Sequence, residues 1–402
     1  MDDRAETAQL KKDELAYKLL FGSLCCMFFF VPVAKSPAII SGLISLCIWI
    51  FSGISIRRFQ YLKKQRYLYP VILLIILMWM GLLIAENTSY ESGHVKRSYY
   101  WFYTLTVASL PFARFNAEKL IKAFLAGLTF TAVLSILQYS GLAPLKSHGI
   151  PMGLLSSFHH IILSLLLVFG ILVLSFYFKT SNNRRISILI LSLMVIYFID
   201  LAVVVYGRSG YIAFMLTAPF IIHNMFGKKQ FIFITVIYAL LLFGLLASPT
   251  VQKRIGHANS DIMKYSDGDT NTSLGMRLEM WKTSFDLFRE HPFIGTGSSG
   301  FKSEWERTKP YETASDFATP HNTFFYVASG YGVPGIVTIT WLFVALFISG
   351  WRSRNTIIGF TVLSFALVFF IGSLANTMIF GSVKTAWASV FIGLQAALYK
   401  NS

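Results

Sequence analysis

Twelve stretches of this chain are apolar over a length that crosses a lipid bilayer or nearly does, and this limits the fold more than any other feature. They lie near 17–34, 38–56, 68–85, 99–113, 120–140, 156–178, 186–206, 209–225, 230–248, 322–349, 357–376 and 383–399, each bounded by polar or charged residues. No water reaches the backbone inside the hydrocarbon layer, so such segments satisfy their own N–H and C=O groups as helices. Hydrophobic residues make up 55% of the 402 positions and charged ones 13%. The mean hydropathy of +0.59 is too high for a single soluble core. The expectation is an all-α polytopic membrane protein with about 12 transmembrane helices, of which 99–113 and 209–225 are short enough to be tilted, broken or re-entrant.

The connectors give an independent reading of the topology. With both termini in the cytoplasm, the inside loops become "RRFQYLKKQR" (57–66), "RFNAEKLIK" (114–122), "KTSNNRR" (179–185), "GKK" (227–229) and "WRSRN" (351–355), all basic. The short outside connectors carry few basic residues, apart from Lys96 and Arg97. This bias accounts for most of the formal charge of +16, so no nucleic-acid partner is expected. The segment "MDDRAETAQLKKDELAYK" is mixed in charge and leads into an apolar stretch without a small-residue cleavage site, so the first span is expected to stay as an anchor. Cys25, Cys26 and Cys47 all fall inside apolar spans and read as small hydrophobes rather than disulfide or metal ligands.

One connector differs from the rest. Residues 249–320 are polar, mixed in charge and on the outer side by the same parity, and are expected to lie over the mouth of a single domain spanning 1–402. Within it, "GMRLEMWKTSFDLFREHPF" spaces Met276, Trp281, Phe285 and Phe288 for one face of a helix over about 275–289. Pro292 ends that helix and "GTGSSG" (295–300) supplies a turn.

Three outward residues carry candidate chemistry. Arg208, in "YGRSGY", sits between two apolar segments in a connector too short to leave the bundle, where it either snorkels to headgroups or binds a ligand. Arg277 lies early in the loop helix, at the unfavourable end of the helix dipole, and needs an anionic partner: Asp269, Glu279 or a ligand. His321 precedes the tenth crossing, which Thr319 or Asn322 can cap. Gly330, Gly332 and Gly335 follow, with Pro334 freeing a carbonyl that must be satisfied inside the protein. Gathered in one pocket, two guanidiniums suit a membrane-bound phosphate ester and an imidazole can take a proton from a sugar hydroxyl. The remaining histidines show no ligand spacing beyond the pair His159–His160, so no metal and no cofactor are expected. Glu86 and the stretch 94–98 are candidates for contact with anionic sugars, as are Lys146 and His148, while His291 reads as structural.

"HNTFFYVASGYGVPG" (321–335), "GRSG" (207–210) and "RLEMWKTSFDLFREHPFIGTGSSGF" (277–301) resemble motifs of the O-antigen ligase and polymerase superfamily. The pattern of His321, Asn322, Gly332 and Gly335 is most similar to that of lipid A-core O-antigen ligases. The resemblance implies a GT-C type membrane glycosyltransferase of the bacterial inner membrane, with its active site facing the periplasm and a monomer as the functional unit. It implies inverting, metal-independent transfer of O-antigen polysaccharide from undecaprenyl pyrophosphate to a sugar of the lipid A core. Donor lipid, acceptor lipid and the surrounding membrane lipids are then its partners. Carried over to this chain, Arg208 and Arg277 bind the pyrophosphate, His321 is the catalytic base or orients the acceptor, and Asn322, Gly332 and Gly335 belong to the substrate-binding motif. O-antigen polymerase, protein O-oligosaccharyltransferase and transporter are the alternatives. A transporter would lead one to expect inverted repeats and midplane charges, whereas the distinctive residues cluster at the outer edge.

Overall fold

The computed structural model describes residues 2–143, 160–205, 207–226, 231–249, 263–267, 269–310 and 317–399, with 252, 256 and 260 between them. Lys146, His148, His159 and the "GKK" connector lie outside the described residues. The described chain is α-helical throughout, with short 3-10 and π turns.

Each of the twelve apolar stretches contains a helix, but 7 helices among the described residues are long and apolar enough to cross a membrane by themselves. These are Arg66–Ile84, Ala117–Tyr139, His160–Thr180, Arg184–Val204, Arg208–Phe226, Thr323–Arg352 and Ile357–Ala375. Lys35–Phe51 and Phe233–Gly244 are shorter apolar helices. The first helix, Asp2–Phe30, is polar over much of its first half. Tyr99–Ala108 has only 10 residues, about 15 Å of rise, or half a hydrocarbon layer. An apolar stretch in the sequence therefore marks a helix here without fixing a complete crossing.

His160–Thr180 is buried on every side from Ile162 to Phe176, as expected of a helix that is hydrophobic all round. It forms the axis of the bundle. Phe169 on it meets Phe124, Phe365, Trp387 and Phe391 in edge-to-face and tilted contacts at 4.8–6.4 Å. Leu189, Leu216, Leu240 and Phe243 lie on the periphery and stay exposed, as a lipid-facing surface requires. One π turn, Asp200–Val204, ends the crossing that precedes Arg208. It carries a fully buried Asp200 whose Oδ1 accepts from the Ser135 hydroxyl at 2.9 Å.

The outer connector is ordered where it is described. Its helix runs over Ser273–Glu290, with Thr272 as N-cap accepting from the Gly275 N–H at 3.0 Å. A second helix, Gly300–Thr308, closes over it, and Met280, Leu287, Phe301 and Trp305 form a small core with Met276 and Phe317 against it. Phe285, placed by its spacing on the buried face, is instead 51% exposed. The helix is gripped on two faces, by Gly300–Thr308 and by Thr323–Arg352, so a single-stripe reading misassigns it.

Candidate functional site

The helix Thr323–Arg352 carries the centre of the site, and its sequence makes it irregular. Pro334 has no N–H to give the Gly330 carbonyl, and Gly332 leaves helical geometry at φ 61° and ψ −150°. The freed groups are met by the loop that follows the outer helix. The Gly297 N–H donates to the Gly330 carbonyl at 2.9 Å, the Thr296 N–H to the Ser329 carbonyl at 3.0 Å, and the Val333 N–H to the Pro292 carbonyl at 2.8 Å. A side chain at Gly332 would run into the Pro292–Phe293 backbone. Gly335 packs on Val327 and Tyr331 of its own helix. Both glycines therefore shape the backbone on which the loop docks.

His321 stands at the mouth of this helix. It is the one non-glycine residue with positive φ among the described residues, at 52°, a conformation that costs an L-residue roughly 1–2 kcal/mol. The surroundings hold it there. The Trp281 indole N–H of the outer helix donates to the Pro320 carbonyl at 3.0 Å, and its ring stacks on Phe325 at 5.5 Å. On the other side, Asn322 caps the helix, its Oδ1 accepting from the N–H groups of Phe324 and Phe325 at 2.8 and 3.1 Å while its amide donates to the Leu374 carbonyl at 2.9 Å. Thr323 ties the same turn to Asn376 and Met378. The imidazole is half-buried and meets the Phe317 ring edge-on at 5.2 Å.

Arg277 precedes Trp281 by one helical turn and so leaves the outer helix on the face that touches Pro320. Burial lowers its pKa, and the positive charge of Arg208 lowers it further, so the two guanidiniums lie within electrostatic reach of each other. Among the described residues no carboxylate forms an ion pair with Arg277. The two carboxylates nearest in sequence are turned to other work: Asp269 accepts from the Asn271 N–H at 2.9 Å, and Glu279 lies 3.5 Å from the Tyr265 hydroxyl. Arg208 starts the helix Arg208–Phe226 and is half-buried. Gly207 and Gly210 beside it press on Ser164 of the axial helix, where a Cβ would collide, so the arginine is held against the bundle. The outer helix thus carries Arg277 and, through the Trp281 contact with Pro320, borders the turn of His321.

Sequence reasoning missed Glu91. This fully buried carboxylate on the short helix Thr88–Val95 accepts from the N–H groups of Ser298 and Ser299 at 3.1 and 2.8 Å, and from the Ser298 hydroxyl. Successive N–H groups around the positive-φ residues Gly295 and Gly297 form a concavity suited to an anion, and here the anion is the protein's own carboxylate. Glu86 to Arg307 at 3.2 Å, Lys302 over the Tyr90 ring at 3.4 Å and Tyr90 to Glu306 at 3.4 Å continue the latch between the second outer connector and the large one.

Within "HVKRS" of the second outer connector, His94 is drawn into the protein while Lys96 and Arg97 stay exposed. His94 is 5% exposed, stacks on Phe380 at 4.5 Å and lies 3.2 Å from the Tyr326 hydroxyl. Arg97 sits over the same Phe380 ring at 4.9 Å. Burial pushes the His94 imidazole down to about 4, with the charges of Arg97 and then Lys302 adding to the effect. The unfolded chain, with an ordinary imidazole near 6.5, binds the proton that the fold refuses. Stability is therefore complete above about pH 6.5 and falls as the pH drops towards 4, by about 2 kcal/mol between pH 7 and 5. Thermal unfolding of the wild type and His94→Gln at both pH values checks this. An equal pH dependence in the two proteins would remove His94 as its source.

Together, these features define an all-α polytopic membrane protein with an irregular helix, Thr323–Arg352, on which the large connector docks. Residues 193–340 match the family model described as O-antigen ligase, so this segment is similar to that family. The match contains Arg208, Arg277 and His321. A stretch of 143 residues is also 29% identical to a protein of Haemophilus influenzae described as uncharacterized, over 33% of this chain and 36% of that protein. The chain thus spans about a third of the length of the curated relative it matches.

Proposed function

We propose that the chain is an inverting glycosyltransferase that moves O-antigen polysaccharide from undecaprenyl pyrophosphate to a sugar hydroxyl of the lipid A core, without a metal ion. The observation that supports this most is Arg277, half-buried within reach of the Arg208 charge and with no carboxylate paired to it among the described residues, on the outer helix whose Trp281 holds the strained turn of His321. The acceptor oxygen attacks C1 of the donor sugar while the bond from C1 to the pyrophosphate oxygen breaks. The hydroxyl proton passes to the neutral His321 imidazole, and undecaprenyl pyrophosphate leaves with its growing charge on the two guanidiniums. The site end faces the periplasm of the inner membrane, the basic connectors face the cytoplasm, and the helices of 249–320 shield the site from water. Asn322 contributes by fixing the His321 turn, Gly332 by letting the loop dock, and Gly335 by close packing within the helix. The bundle is of GT-C type in this reading, and one chain suffices for activity.

The test uses the full chain in nanodiscs with undecaprenyl pyrophosphate-linked polysaccharide, lipid A-core acceptor and EDTA. Polysaccharide-capped lipid A-core is the expected product. Growth of donor chains on undecaprenyl pyrophosphate with a competent acceptor left uncapped would make the protein a polymerase, and dependence on added metal would end the metal-independent reading.

A further inference from the structure

The helix Thr323–Arg352 has His321 just before its first turn and Arg352 at its other end, beyond the break at Gly332. At that far end a cleft of about 400 Å³ opens between its last turns, the start of the crossing Arg66–Ile84 and the C-terminal 3-10 turn Leu394–Tyr399. Arg66 and Arg352 line it, and among the described residues neither takes part in an ion pair. Its floor includes Tyr67 and Tyr399, stacked at 5.7 Å and 7°. Its side wall is Trp341, Val344 and Ile348, 40, 47 and 45% exposed, at the i, i+3, i+7 spacing of one helix face.

Charge and apolar surface meet in this cleft, and that combination selects the ligand. A free phosphate would use the arginines and gain nothing from the exposed stripe. A neutral lipid would use the stripe and leave two cations unmatched. We propose that the cleft binds one anionic glycerophospholipid, its phosphate between Arg66 and Arg352 and an acyl chain along Trp341, Val344 and Ile348. The bound lipid joins the lower half of the helix that bears His321 to the start of Arg66–Ile84 and to the C-terminal turn. The inference uses no residue of the arginine and histidine site, so it stands or falls apart from the proposed transfer reaction.

Native mass spectrometry of the full chain, titrated with phosphatidylglycerol and separately with phosphatidylcholine, tests it. The wild type is expected to keep a single phosphatidylglycerol and to unfold at a higher temperature with it. Arg66→Gln with Arg352→Gln should weaken that binding roughly tenfold or more, because two surface charges are lost. Lys63→Gln with Lys64→Gln, which removes two charges at the same end outside the cleft, should leave it unchanged. Val344→Trp keeps both arginines and fills the cleft, so it should also lose the lipid, and it decides the matter if the arginine variant does not fold. Equal retention in the arginine and tryptophan variants, an equal loss in the lysine variant, or displacement of the lipid by inorganic phosphate would each overturn the proposal.

Discussion

Arg277→Ala is expected to lower the rate of polysaccharide transfer on the order of a thousandfold while leaving the protein at least as stable as the wild type. The two halves of this expectation come from one observation. Arg277 is half-buried beside Arg208, and both burial and the neighbouring charge act against its ionised form. Without a ligand the pair repels, so removing one guanidinium relieves the folded state. With a pyrophosphate leaving group between them, the same two charges stabilise the transition state, and the loss falls on catalysis. Arg277→Lys keeps the charge but not the planar pair of donors, so it should recover part of the activity and not all of it. Arg208→Ala should behave alike, and the double variant should be far from the sum of the two because both act on one group. Transfer assays and thermal unfolding on the same preparations check this. If Arg277→Ala unfolds well below the wild type, or transfers at a similar rate, the arginine is a structural residue and the anion pocket reading fails.

Several of these features were legible in the sequence because their causes are local. Asn322 as a cap, the helix over Ser273–Glu290 and the carbonyl freed by Pro334 follow from residues a few positions apart, and the structure shows each of them. The donor that meets that carbonyl was not legible, because the Gly297 N–H reaches Gly330 only through the fold of the loop. The same holds for Arg208 and Arg277, which resemblance links as motifs but which only tertiary structure brings near each other. Apolar length read the helices well and the crossings less well. Tyr99–Ala108 is short, so the twelve expected crossings are seven helices of full length and hydropathy among the described residues. Hydropathy also has no means of marking Glu91, an acid in a polar connector whose partners, Ser298 and Ser299, lie more than two hundred positions on.

Glu91→Ala is expected to cost about 4 kcal/mol, one of the larger losses that a single side chain here can cause. The carboxylate accepts two backbone N–H groups and a hydroxyl, all buried, and each donor left without a partner costs about 1–3 kcal/mol. Glu91→Gln keeps the shape and one acceptor oxygen, but turns an NH2 group towards a donor and loses the charge, so it should recover only part of the loss. The damage should also be local at first. The loop that Glu91 holds supplies the Thr296 and Gly297 N–H groups to the broken helix at Ser329 and Gly330, so its release exposes those carbonyls in turn. Hydrogen exchange should therefore quicken in 295–300 and 329–333 together, before the axial helix His160–Thr180 responds. Uniform quickening across all helices would mean that Glu91 supports global stability only. Unchanged exchange at 329–333 would mean that the loop is not what keeps the irregular helix intact, and the chain from Glu91 through Gly297 to the helix that begins beside His321 would be broken at its second link.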